Sequence, residues 1–244
     1  MKAVELKDGE RLDYLHREDF KIIQNPAYFM FSMDAVLLSS FATVHKSEVH
    51  MDLCCGNGII PILLAAKNKG ISYAGAEINE KLVDMAMRSV VLNGLEDKIV
   101  IHNMDIRQMD GLDTNFDVVT ANPPYMAAQT GAKNENYDMA IARHEILCNL
   151  EDVVHAAARL LRFGGRFYMV HRPGRLTDII VTMRQHNLEP KILRFVQPKA
   201  DAPPNMLLIA ATKGAKAHLD VKPPIIVYDN NGGYSEEIRR IYYE

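Results

Sequence analysis

The chain has 244 residues, of which 48% are apolar and 24% charged, with a formal net charge of −3. That size suits one large α/β domain, or one domain with a small addition, and the apolar content is ordinary for a packed core. No apolar run reaches the roughly eighteen residues of a membrane span, the first residues carry no signal-peptide core, and no Cys/His cluster has zinc spacing, so no metal is expected.

Residues 1–27 read as a small leading segment, polar apart from short apolar stretches. Asp34 is placed to cap a helix from Ala35 to about Thr43. Then follow strand 49–53, helix 59–69, strand 72–76 and helix 79–93, the last stopped by Gly94. Strand 98–102 precedes Asp105, and strand 116–121 follows a loop. The segment from Met126 to about Tyr137 has the composition of a lid or substrate loop. Helix 151–162, strand 166–170, helix 175–186 and strands 190–197 and 206–212 complete the pattern. Beyond 213 the tail is weakly patterned. Strands alternating with helices predict a mostly parallel sheet covered on both faces. Cys54, Cys55 and Cys148 are odd in number and two are adjacent, which argues against a disulfide framework and for a reducing cytoplasm.

Two motifs carry chemistry. Asp52-Leu53-Cys54-Cys55-Gly56-Asn57-Gly58 runs from a strand into a glycine turn that opens a helix, a nucleotide-binding half-unit. The next strand ends at Glu77, about twenty residues on, where a carboxylate can accept ribose hydroxyls. The loop lacks the third glycine and any basic residue, and Asp52 would repel a pyrophosphate. A cofactor with an amino group and a positive centre fits better, which favours S-adenosylmethionine over NAD. The second motif is Asn122-Pro123-Pro124-Tyr125, directly after strand 116–121. Two prolines cannot continue a ladder, so an amide, stiff carbonyls and an aromatic ring are presented at the strand's carboxyl edge, where ligands of open α/β sheets sit. Such a set can hold a planar amino group by both hydrogens.

The first motif resembles that of the class I S-adenosylmethionine-dependent methyltransferases, and the tetrapeptide resembles the fourth motif of their amino-methylating branch. Tyr28 to Leu38, His171 to Leu176 and Pro223 to Tyr228 further resemble segments of the bacterial tRNA1(Val) adenine-37 N6-methyltransferase family. The resemblance implies a Rossmann-like fold, a mostly parallel seven-stranded sheet of order 3-2-1-4-5-7-6. It implies a leading segment over 1–45 and a methyltransferase domain over 46–244. It also implies methyl transfer to an exocyclic amino nitrogen, with Asn122, Pro123, Pro124 and Tyr125 at the acceptor. On the cofactor side it implies Glu77 at the ribose, Ile78 and Ile106 against the adenine ring and Asp105 at its amino group. Asp52, Cys54, Gly56 and Gly58 would face the methionine portion, Asn122 would border it, and Phe31 and Asp34 would close the pocket. Ile78 and Ile106 could equally be core residues, Asp105 a turn residue and Asp34 only a cap. His144 and Cys148, one turn apart, read as structural.

The charge is uneven. Residues 159–199 hold nine basic and two acidic side chains, whereas residues 1–158 net −9. A basic stretch on an acidic protein is a candidate phosphate-binding face, with Arg172 and Arg175 at a strand-end turn as its foremost members. The leading expectation is a cytoplasmic, monomeric enzyme acting on a tRNA anticodon loop. The rivals are glutamine methylation of a release factor, rRNA guanine N2 or DNA adenine N6 methylation, and a non-catalytic RNA-binding protein.

Overall fold

The computed structural model describes residues 4–15, 19–28, 30–67, 69–109, 112, 115–123 and 148–243. Its centre is an eight-stranded sheet. Numbering the described strands in chain order, β3 (Val49–Leu53), β4 (Ser72–Glu77), β5 (Ile99–Asn103), β6 (Phe116–Ala121), β7 (Leu161–His171), β8 (Leu188–Gln197), β9 (Met206–Lys213) and β10 (Asp220–Ile226) lie in the order β10-β8-β9-β7-β6-β3-β4-β5. β3 to β7 pair in parallel, while β9 is antiparallel to both β7 and β8. The sheet therefore holds the expected seven-strand succession and departs from it by an eighth strand. β10 adds in parallel along β8, and its Pro223-Pro224 fall at a register shift. Proline lacks the N–H of an inner strand, so an edge strand with an irregular ladder is where this pair is tolerated.

Side chains alternate between two covered faces. Met51, Leu53, Val119, Phe167, Met169, Leu207 and Ile209 point to one apolar cluster. It is shared by α4 (Leu150–Leu160) and α5 (Leu176–Gln185). Val118, Tyr168, Val170, Leu208 and Ala210 point to the other, beneath α1 (Met33–Phe41) and α2 (Ile59–Ala66). Burying each such large side chain stabilises the fold by about 1.5–3 kcal/mol, which explains why these strands read as nearly continuous apolar runs. The start of α4 is fixed by a capping box, Asn149 with Asp152.

Three elements escaped the sequence reading. A hairpin of β1 (Arg11–Tyr14) and β2 (Lys21–Gln24) lies in the leading segment and rests on α3 (Glu80–Leu92). There the Ile23 N–H donates to Ser89 Oγ (2.9 Å), Asn93 bonds both backbone groups of Lys21, and Arg88 grips Glu10. The others are β10 and the closing helix α6 (Glu236–Tyr243). Asp34 is not the cap of α1: Ser32 holds that position and Asp34 stands inside the first turn, where a carboxylate still faces the positive end of the helix.

Candidate active site

The site is assembled where β3, β4 and β6 end together. Leu53 pairs with both Ala76 and Ala121, so the chain leaves three neighbouring strands side by side at the glycine loop, at Glu77 and at Asn122. The loop turns through three left-handed residues, Cys54 (φ +56°), Gly56 (+54°) and Gly58 (+80°). Cys54 is the strained member, since a side chain disfavours this region. A Cβ placed on Gly56 would meet nothing within 4 Å, so this backbone borders open space. On the sheet side there is none to spare: a Cβ on Gly75 would stand 2.7 Å from Cys55 Sγ.

Glu77 is buried and braces the loop. Its Oε2 accepts from the Gly56 N–H (3.0 Å) and its Oε1 from the Asn79 N–H (2.9 Å).

Beneath the loop lies a chain of polar groups that the sequence did not disclose. Thr120 Oγ1 donates to Asp52 Oδ1 (2.6 Å) and lies 2.8 Å from His50 Nε2. The hydroxyl has a single hydrogen, so its donation to Asp52 obliges His50 to donate from Nε2. All three residues are fully buried, and Asp52 Oδ2 has no hydrogen-bond partner. Burial pushes the Asp52 carboxyl up to about 8, and the nearby Glu77 charge adds to this. Burial likewise pushes His50 down to about 3, keeping it neutral. The only legible signal was the polar residue types at alternate positions of two otherwise apolar strands.

The other expected residues fall unevenly. Ile78 follows β4 and is 38% exposed, whereas Ile106 is buried in the core. Asp105 is held by Arg107, which donates from its backbone N–H and side chain, and these bonds keep its carboxyl below the usual range. An adenine amino group there would have to share the carboxylate with Arg107. The Phe31 N–H donates to Gln24 Oε1 (2.9 Å), and Phe31 packs on the core below α1. Burial raises the Asp34 carboxyl, against the pull of Ser32 and the Arg172 guanidinium. Cys54 lies beside Cys148, whose thiol, together with burial, raises the Cys54 thiol well above its usual range, and burial does the same for Cys55. Both stay protonated and are poor nucleophiles. Asn122 and the buried Pro123 stand at the end of β6, while Pro124, Tyr125, the 126–137 loop and His144 lie outside the described residues. Arg172 and Arg175 follow β7 at the same edge. Arg172 Nη1 donates to the Asn205 carbonyl (2.9 Å), and the exposed Arg175 pairs with Asp178 (2.7 Å).

The residues fit a cationic nucleoside cofactor. A buried carboxyl oxygen without a partner, a second buried carboxylate at the end of the adjacent strand and open space over Gly56 together favour an ammonium or sulfonium group over a phosphate. Among the described residues no cluster of metal-ligating side chains and no helix long and apolar enough to cross a membrane occurs.

The sheet order and this loop define a Rossmann-like methyltransferase that uses S-adenosylmethionine. The chain belongs to the methyltransferase small domain family, which matches residues 32–186. A Porphyromonas gingivalis protein is 26% identical over 94% of this chain and 93% of its own length, and a Haemophilus influenzae protein 23% identical over 93% and 96%. Both are named tRNA1(Val) (adenine(37)-N6)-methyltransferase. Among solved structures, an Agrobacterium tumefaciens protein described as a predicted O-methyltransferase superposes with a TM-score of 0.69, at 21% identity, covering 86% of this chain and 95% of that one. The M. jannaschii tRNA m1G37 methyltransferase gives 0.60 at 16% identity, covering 87% and 59%. These two likenesses concern the fold.

Proposed function

We propose that the protein methylates the N6 amino nitrogen of an unpaired adenine in a tRNA anticodon loop, position 37 of a tRNA1(Val)-type substrate. The observation that carries this reading is the register Leu53↔Ala121, which sets the cofactor loop and Asn122-Pro123 on adjacent strands about 5 Å apart. The names of relatives that align over more than nine-tenths of both chains support the choice of base and RNA.

The bound cofactor supplies a methyl group on a sulfonium sulfur. The protein's part is to prepare the acceptor. An adenine amino group is a poor nucleophile because its lone pair is delocalised into the ring. Asn122 Oδ1 and the Pro123 carbonyl each accept one N–H hydrogen, which localises the lone pair and favours the charge that grows on nitrogen as the bond forms. Pro124 stiffens this corner and Tyr125 stacks on the base. Glu77 accepts the cofactor's ribose hydroxyls, Ile78 and Ile106 flank its adenine, and Asp105 takes the adenine amino group. Asp52 faces the ammonium, with Cys54, Gly56 and Gly58 around the methionine portion. Phe31 and Asp34, in a leading segment spanning 1–45, close the pocket of the 46–244 unit. Arg172 and Arg175 contact RNA phosphate. The enzyme acts as a cytoplasmic monomer. Stacking energy to be overcome is least for a loop base, which suits this substrate.

Asn122→Ala should lower kcat by a hundredfold or more, the scale of an electrostatic contact made in the transition state, with cofactor affinity nearly unchanged. Equal loss of turnover and affinity would remove Asn122 from the acceptor site. Incubation with labelled cofactor and separate tRNA, DNA and release-factor pools tests the substrate: label entering only protein or DNA defeats the tRNA reading.

A further inference from the structure

The C-terminal elements bring a row of tyrosines to the same sheet edge as the candidate active site. Strand pairing fixes this placement. His171 at the end of β7 is opposite Leu207, Val196 near the end of β8 is opposite Met206, and Ile226 at the end of β10 lies beside Gln197. Past β10, the Val227 and Tyr228 N–H groups donate to the Gln197 and Pro198 carbonyls, both at 2.9 Å. Tyr228 bridges to Tyr234, and their rings stack with centroids 5.7 Å apart and planes at 17°. Tyr234 stacks on Tyr242 at 5.8 Å and 14°.

The result is a ladder of three nearly parallel, offset rings. Its inner end is anchored, because Ile238 on α6 is fully buried and Ile241 and Tyr242 pack against the core. Its outer end is Tyr228, 38% exposed, whereas Tyr234 lies between the other two rings and shows its edge. Cations flank the ladder. Lys199 is exposed on the turn that holds Tyr228, and Arg239 is exposed on α6. Of the nearby carboxylates, Asp229 is engaged by the Asn231 and Gly233 N–H groups and also pairs loosely with Arg239 at 3.7 Å, a partly exposed contact that a phosphate can replace, and Asp201 is exposed. Four strand spacings separate β6 from β10, about 19 Å, a span that a few nucleotides of single strand cover.

We propose that Tyr228, Tyr234 and Tyr242 form a stacking platform for an unpaired RNA base a few nucleotides away from the methylated one, with Lys199 and Arg239 on the intervening phosphates. This rests on the tRNA reading above and adds to it a surface that holds the loop beside the target base. Stacking tolerates any base, so the platform supplies affinity and register, and the Asn122 pocket supplies the choice of adenine.

The test uses full-length enzyme and an anticodon stem–loop oligonucleotide. Tyr228→Leu should raise the RNA KM by about five- to a hundredfold, with a smaller effect on kcat and none on S-adenosylhomocysteine affinity. Tyr228→Phe should restore the KM, because the ring and not the hydroxyl does the stacking. Wild-type enzyme cross-linked by light to stem–loops carrying 4-thiouridine at each position a few nucleotides from the target should be labelled within 228–243. An unchanged KM in Tyr228→Leu, or cross-links confined to other segments while the wild type methylates the oligonucleotide, overturns the platform and leaves the substrate assignment standing. If the wild type methylates no RNA, both fall together.

Discussion

The buried Asp52 predicts that cofactor binding releases a proton. With no partner on Oδ2 and burial raising its carboxyl to about 8, Asp52 is about nine-tenths protonated in the free enzyme at neutral pH. An ammonium group placed beside it favours the carboxylate, so the ligand selects the ionised minority. The sign follows directly: affinity should rise as pH increases toward 8 and then level off. Below 8 it should weaken about tenfold per unit, about 1.4 kcal/mol each. Titration calorimetry with S-adenosylhomocysteine between pH about 6 and 8, in two buffers of different ionisation heat, reads both the affinity and the proton count. Close to one proton should leave per ligand at neutral pH. Asp52→Asn should bind more weakly and lose the pH dependence, because the amide cannot ionise. Equal wild-type affinity across the range, with heats independent of buffer, would refute the placement of the ammonium at Asp52.

Glu77→Ala should weaken S-adenosylhomocysteine binding tenfold or more by calorimetry, since a charged acceptor is worth about 1.5–3 kcal/mol and the Gly56 N–H also loses its partner; unchanged affinity removes Glu77 from the ribose. Gly75→Ala should destabilise the fold by about 1–3 kcal/mol in urea unfolding, because the new methyl group overlaps Cys55 Sγ, and a neutral result would show that the loop yields without cost. Arg175→Ala should reduce the slope of log affinity for single-stranded anticodon-loop RNA against log salt by about 0.7, the share of one phosphate contact, and an unchanged slope assigns Arg175 to its ion pair with Asp178 alone.

Much of this architecture was legible because the parallel strands are short apolar runs bounded by glycine, proline or capping residues. β3, β6 and the helix after Gly58 begin where the sequence places them, since a glycine turn and a double proline leave the backbone few alternatives. Asn122 and Glu77 were readable as strand-end residues for the same reason. The N-terminal hairpin was not, because Arg11–Tyr14 is mostly exposed and the hairpin is held through Lys21, Ile23 and Glu10 by Asn93, Ser89 and Arg88, on a distant helix and its cap. β10 was not legible in the weakly patterned tail either, because Pro223-Pro224 lack ladder N–H groups and only the outer edge of β8 makes a strand possible there.

By itself, then, the sequence determined the order of strands and helices and the two motifs at their ends, since local stereochemistry and apolar periodicity act over a few residues. Tertiary structure decided which of those ends become neighbours. It put Thr120 between His50 and Asp52, turned an ordinary acid into one that holds its proton, and stacked tyrosines six and eight positions apart into one ladder. These depend on register between strands and on exclusion of water, which pairing across the whole chain sets and which no stretch of sequence carries alone.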